Sequence, residues 1–172
     1  NFQFESGRRE AERAIDHARA IGDVELEADA IVTQASCIAK DGDSSGMELF
    51  DRALELVGHG RVAARAYTNL GVAWASLGDL GRAIEVSVEG AARAAQDGDV
   101  QGAAFLRGNV LGLRFDAGDW EEALQEASSL IGSPGFNRQE YLALTVRATI
   151  LESRGDLAAA GGDFELALES AR

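Results

Sequence analysis

The sequence predicts an all-α protein in which about four antiparallel helical hairpins, preceded by one further helix, stack into a solenoid. Alanine is the most frequent of the 172 residues and leucine is also common; both favour helices, and there is a single proline. Gly-Asp dipeptides recur at intervals of 36, 40 and 37 residues, at Gly42-Asp43, Gly78-Asp79, Gly118-Asp119 and Gly155-Asp156. The segments between these breaks carry apolar residues at helical spacing.

The breaks predict where each helix begins and ends. Glycine can adopt the left-handed conformation that ends one helix, and aspartate can cap the free N–H groups that open the next. So short a link favours an antiparallel hairpin. A second series of breaks lies between these, at Gly22-Asp23, Gly58-His59-Gly60, Gly98-Asp99 and Ser133-Pro134-Gly135. Two helix starts also carry capping-box patterns, Asp119-x-x-Glu122 and Asn137-x-x-Glu140.

Nine helices follow from these breaks, at about 5–21, 24–40, 45–57, 61–77, 80–96, 100–117, 120–131, 138–154 and 157–171. In the fourth, one face carries an apolar stripe formed by Ala63, Ala66, Tyr67, Leu70, Trp74 and Leu77. Such helices are not stable alone in water, so neighbours must bury the stripes against one another. We expect one domain over 1–172, a piece of a longer protein, with hairpins at 24–57, 61–96, 100–131 and 138–171.

The composition excludes several functions. A net charge of −13 disfavours contact with nucleic acid and with anionic membranes. Cys37 is the only cysteine, so no internal disulfide can form and a reducing compartment is the simpler interpretation. No apolar run approaches the roughly 18 residues of a membrane span. We therefore expect a cytoplasmic protein.

The second hairpin resembles the tetratricopeptide repeat (TPR) closely. Its signature aromatic, small and apolar positions are occupied by Tyr67, Leu70, Gly71, Trp74, Gly78, Ala83 and Ile84. Weaker copies precede and follow it in register, so the resemblance covers almost the whole chain. It implies a right-handed solenoid whose first helices line a concave groove. The repeats are longer than the family's usual length and lack its common closing proline, a pattern similar to the repeats of large bacterial regulators that combine ATPase and LuxR-type DNA-binding domains.

No pattern of catalytic or metal-binding residues is present. Asp41-Gly-Asp43 imitates the start of an EF-hand calcium loop, but Arg52 replaces the glutamate that closes the coordination shell. His17, Cys37 and His59 lack the spacing of a zinc site. The chain has no phosphate-binding loop and no nucleophile elbow. We therefore expect no enzymatic activity, no metal and no cofactor.

The predicted partner site lies on the wall of the implied groove. Asn69 and Asn109 occupy equivalent positions on neighbouring first helices, where the resemblance implies that asparagine holds a peptide backbone; alternatively they cap or bridge neighbouring helices. Phe105 and Phe115 are candidate contact anchors. The predicted site comprises Arg65, Thr68, Asn69, Val72, Phe105, Asn109 and Phe115, and the wider wall includes Val32.

The resemblance thus implies a non-catalytic protein-interaction or ligand-sensing module of a multidomain bacterial transcriptional regulator. Its partner would be a protein or peptide, or another domain of the same chain, with no nucleic acid or membrane bound by this segment. The alternative is a structural or oligomerising spacer between other domains. The last helix carries Phe164, Leu166 and Leu168 with no polar capping helix after it, which favours self-association through the apolar solenoid ends.

Overall fold

The computed structural model describes residues 2–133 and 140–170, and side chains from Phe4 onward. Within these ranges the chain forms helices and turns without a β-strand. The helices are α1 (Phe2–Ile21), α2 (Val24–Lys40), α3 (Gly46–Leu56), α4 (Gly60–Ser76), α5 (Leu80–Gln96), α6 (Val100–Ala117), α7 (Trp120–Leu130), α8 (Glu140–Ser153) and α9 (Leu157–Ser170). The all-α prediction is confirmed.

The Gly-Asp turns end and begin helices as the sequence predicted. Gly118 has a φ of 83°, in the left-handed region that glycine adopts without a steric penalty. At four other helix starts, an aspartate oxygen accepts a hydrogen bond from the backbone N–H three residues on. The N···O distance is 3.0 Å at Asp79, and equivalent bonds form at Asp23, Asp99 and Asp156. The turns therefore satisfy N–H groups that a helix leaves unpaired.

Two predicted caps are wrong. Asp119 makes no capping hydrogen bond with its side chain at the start of α7. The carboxylate of Asp43 accepts from the N–H of Ser45 at 2.9 Å, two residues on, so it closes a turn before α3 begins at Gly46. That bond lowers the pKa of Asp43 below its ordinary value. The capping box predicted at Asn137 lies outside the described residues.

The helices pack as a linear array of hairpins. Each helix contacts the next one along the chain, so α2–α3, α4–α5, α6–α7 and α8–α9 form four hairpins. The first helices of successive hairpins also contact one another, in the order α2, α4, α6, α8. These four helices therefore form one continuous layer, and each of α3, α5 and α7 contacts both the first helix of its own hairpin and that of the next hairpin.

The core runs along the array as three neighbouring clusters of buried apolar side chains. Phe50 is fully buried in the cluster of α1 to α4, and Leu54 packs against both this cluster and the next. Small residues allow close helix contacts: a Cβ atom added at Gly90 of α5 would lie 2.5 Å from Cβ of Tyr67 on α4. In the described residues, no helix is both long and apolar enough to span a membrane.

Candidate partner-binding groove

Two hollows lie between neighbouring first helices and form a continuous groove. One, of about 320 Å³, lies between α2 and α4, and the other, of about 460 Å³, lies between α4 and α6. Val72 and Ser76 of α4 line both hollows, so the two are adjacent on either side of these residues. We call this surface the first-helix groove.

The two predicted asparagines line neighbouring parts of the groove. Asn69 lines the hollow beside α2, and Asn109 lines the hollow beside α4. Both residues are half-buried. Neither side-chain amide hydrogen-bonds to any other residue in the part of the chain that the structure describes, so the proposed bridge between helices is not seen there. Each amide can both donate and accept a hydrogen bond.

Arg65 and Thr68 are already engaged within the protein. The guanidinium of Arg65 donates to the backbone and side-chain oxygens of Asp29 at 3.0 and 2.8 Å, and to Oγ1 of Thr33 at 3.0 Å. Arg65 therefore joins α4 to α2. The hydroxyl of Thr68 donates to the carbonyl oxygen of Ala64 at 2.9 Å. Its oxygen can still accept a hydrogen bond from a partner.

The predicted apolar contacts lie in different surroundings. Val72 is 51% exposed at the centre of the groove, which suits a contact with an apolar side chain. Phe105 is 44% exposed but belongs to neither hollow. Phe115 is half-buried and stacks on Trp120, with 6.4 Å between ring centroids. Val32, expected on the wider wall, is fully buried, because it faces the core of α1 to α4.

Several groove residues were missed at the sequence level. Phe4 and Lys40 close the hollow beside α2, and the ammonium of Lys40 lies 5.9 Å from the ring centroid of Phe4. Leu113 of α6 and Leu142 of α8 line the hollow beside α4. Position in the repeat could have indicated Leu142, which is equivalent to Phe105 in the next first helix. The approach of α1 to the end of α2 has no comparable local signal.

The lining of the groove offers both hydrogen-bonding groups and apolar surface. It combines two amides, several hydroxyls and the exposed Val72, with Lys40 at one end and Asp116 at the other. Among the described residues, no three histidine, cysteine, aspartate or glutamate side chains are placed to hold a metal ion. Such a mixed surface suits an extended peptide or a helix.

Comparison with known proteins finds similarity in structure. BtubC (BKLC) from P. vanneervenii matches with a TM-score of 0.80 and 17% identity, over 97% of this chain and 73% of that one. MamA AMB-1 matches with a TM-score of 0.60 and 17% identity, over 98% and 91% of the two chains. A kinesin light chain-related protein from Podospora anserina, with nearly identical TPR-like repeats, matches with a TM-score of 0.65 and 12% identity, over 98% and 94%.

No protein-family model and no curated protein matches the chain. At the identities of the structural matches, the similarity establishes the fold and nothing finer. The order of the helices, the contacts between successive hairpins and these matches agree with one another. The chain therefore has the TPR-like, all-α solenoid fold.

Proposed function

We propose that this chain is a protein-interaction module that holds a peptide or helix of a partner protein in the first-helix groove. The observation that carries the proposal is the pair of equivalent amides, Asn69 and Asn109, which line adjoining hollows without a side-chain hydrogen bond to any described residue. A half-buried amide that lacks a protein partner is available to pair with the N–H and C=O groups of a bound backbone.

Val72 supports the same proposal. It is exposed between the two hollows, where an apolar side chain of the partner would bury it. Burial of one such side chain stabilises a complex by roughly 1.5 kcal/mol or more before the cost of ordering the partner. Hydrogen bonds to the amides would fix the position of the partner's backbone, while contact with Val72 would favour partners with an apolar residue at that point.

Substitution of both asparagines tests the proposal. Peptides selected from a random display library against the wild-type chain should bind Asn69→Ala/Asn109→Ala about tenfold to hundredfold more weakly, because each lost hydrogen bond contributes about 1 kcal/mol. Isothermal titration calorimetry measures the affinity, and circular dichroism checks that the helical content is unchanged.

Gln125→Ala is the matched control, because Gln125 is an exposed amide on α7 outside the groove. It should bind the selected peptides as tightly as the wild type. Full affinity in the double asparagine variant would contradict the proposed site. A library that yields no binding peptide would contradict peptide recognition by this groove.

We also propose that the module belongs to a multidomain bacterial transcriptional regulator. The supporting observation is the resemblance of its long, alanine-rich, proline-poor repeats to those of such regulators. With a net charge of −13, DNA binding would fall to another domain. The coding sequence on either side tests this: a phosphate-binding loop upstream or a helix-turn-helix downstream is expected, and the lack of both would contradict the proposal.

A second candidate function is assembly through the last hairpin. Leu168 of α9 is 66% exposed and is equivalent to Ala91 of α5, which is 8% exposed because it packs beside Ala103 and Leu106 of the next hairpin. The outward side of α1, in contrast, carries charged residues such as Arg9, Arg13 and Asp16. The α9 end therefore resembles an inner contact surface of the solenoid, which a neighbouring domain or a second copy would cover.

Analytical ultracentrifugation of the isolated chain distinguishes a self-associating protein from a monomer. If copies associate through this end, the wild type should show a mass that rises with concentration, and Leu168→Glu should abolish that rise. Leu77→Glu is the control, since Leu77 is also exposed but lies at the end of α4, away from α9. A monomer at every concentration would contradict self-assembly.

A further inference from the structure

A third hollow, larger than the two of the first-helix groove, lies on the opposite side of α6. Its volume is about 590 Å³, within the range of small-molecule sites. The side of α6 that lines it carries Val100, Ala104, Val110 and Arg114, whereas the groove side carries Asn109 and Gly112. We call this hollow the second-helix cleft, because α5 and α7 border it.

Small side chains keep the cleft open. Ala91 and Ala103 are almost fully buried in its floor, while Val88 and Val100 remain 44% and 52% exposed. On the side facing α5, Glu126 of α7 and Ser133 after that helix line the cleft. An apolar ligand would therefore bury methyl groups that now face water.

The two arginines of the cleft differ in their pairing. Arg107 is neutralised, since its Nε donates to Glu126 at 2.8 Å and its Nη2 donates to the hydroxyl of Ser129 at 2.6 Å. Arg114 forms no hydrogen bond or ion pair through its side chain with any described residue, and residues 134–139 contain no aspartate or glutamate. The cleft thus has a surplus positive charge in a protein of net charge −13.

We propose that the second-helix cleft binds a long-chain aliphatic carboxylate, with the chain along the alanines and the carboxylate on Arg114. From Val100 to Arg114 the floor spans about 21 Å, at about 1.5 Å per helical residue, which accommodates an extended acyl chain. The guanidinium fork matches a carboxylate in charge and in geometry. This site goes beyond the proposed peptide groove and does not depend on it.

Titration with dodecanoate below its micelle concentration tests the site, with calorimetry as the readout. Because a buried methylene strengthens binding by roughly fourfold, decanoate, which has two fewer, should bind roughly fifteenfold more weakly than dodecanoate. Arg114→Gln should weaken dodecanoate by about tenfold and leave uncharged dodecanol unaffected. Ala92→Leu should weaken both ligands, because it fills the cleft from an exposed rim position where the fold tolerates it.

Two variants are matched controls that lie outside the cleft. Arg61→Gln removes an exposed charge on α4, and Ala20→Leu adds the same bulk on α1; both should bind dodecanoate like the wild type. The proposal is overturned if dodecanoate shows no saturable binding, or if Ala92→Leu binds it unchanged. Equal affinity in Arg114→Gln would overturn the assignment of the carboxylate.

Discussion

At the scale of single residues, a bidentate ion pair between Arg147 and Asp163 joins α8 to α9. Asp163 is only 6% exposed, and both of its oxygens accept from Arg147 at 2.7 Å. These hydrogen bonds raise the pKa of Arg147 further above its ordinary value. A buried carboxylate of this kind depends on its partner, because desolvation without compensation is costly.

We predict that Arg147→Met lowers the free energy of unfolding by roughly 3 kcal/mol, since it leaves Asp163 buried and unpaired. The double variant Arg147→Met/Asp163→Leu should recover most of that loss, because no buried charge remains. Urea denaturation of the wild type and both variants gives the three values. If Arg147→Met unfolds at the same urea concentration as the wild type, the pair contributes nothing to stability.

The raised pKa of Tyr67 predicts that the protein loses stability in alkaline solution. Burial, together with the hydrogen bond that its hydroxyl donates to Glu89 at 3.0 Å, raises its pKa to about 12. The unfolded phenol ionises near pH 10, whereas the folded one keeps its proton. The stabilising contribution is therefore fully present below about pH 10 and is lost as the pH rises towards 12.

Unfolding measured by urea between pH 9.5 and 12 tests this. The wild type should lose stability more steeply with pH than Tyr67→Phe, which has no proton to release at this position. Tyr141→Phe is the control: Tyr141 is 48% exposed, so its removal should leave the slope unchanged. Parallel curves for Tyr67→Phe and the wild type would refute the assignment.

At the scale of helices, the contact between α4 and α5 depends on Gly90. A methyl group there would lie 2.5 and 2.6 Å from Cβ and Cγ of Tyr67, which a packed helix pair accommodates only by moving apart. We predict that Gly90→Ala lowers the free energy of unfolding by about 1–3 kcal/mol, despite the higher helix propensity of alanine. Thermal and urea unfolding measure the change.

Gly162 provides the opposite case on α9. It is exposed, and a methyl group there would meet no atom within 4 Å. Gly162→Ala should therefore raise stability by about 0.5–1 kcal/mol through helix propensity alone. A loss of similar size in both variants would show that packing against Tyr67 does not explain the effect at Gly90.

At the scale of the whole molecule, the array could be predicted because its turns are local. Each Gly-Asp pair acts on the residues directly beside it, so the periodic spacing gave every described helix to within a few residues. The failures at Asp43 and Asp119 are also local: one closes a turn, and the other makes no bond through its side chain. Such differences depend on side-chain conformation, which residue type and spacing do not determine.

The candidate binding surfaces were less predictable, because they depend on which helices meet. The equivalent positions of Asn69 and Asn109 in their repeats were enough to predict that both line neighbouring first helices, and they line adjoining hollows. The same register could not show that Arg65 bonds to Asp29 or that Phe115 stacks on Trp120, since both contacts join different helices. The second-helix cleft was not predicted. An alanine on an apolar helix face is expected to be buried in the core, and only the packing of neighbouring helices shows that it lines a cleft.

The place of α6 between two hollows has a thermodynamic consequence. Asn109 faces one hollow and Arg114 the other, so one rigid helix carries a wall of each. If a ligand in one hollow displaces α6, the affinity of the other hollow changes, and linkage requires the effect to be equal in both directions. If both proposed sites bind, an aliphatic carboxylate in the cleft changes the affinity of the groove for its peptide by the same factor as the peptide changes the affinity for the carboxylate.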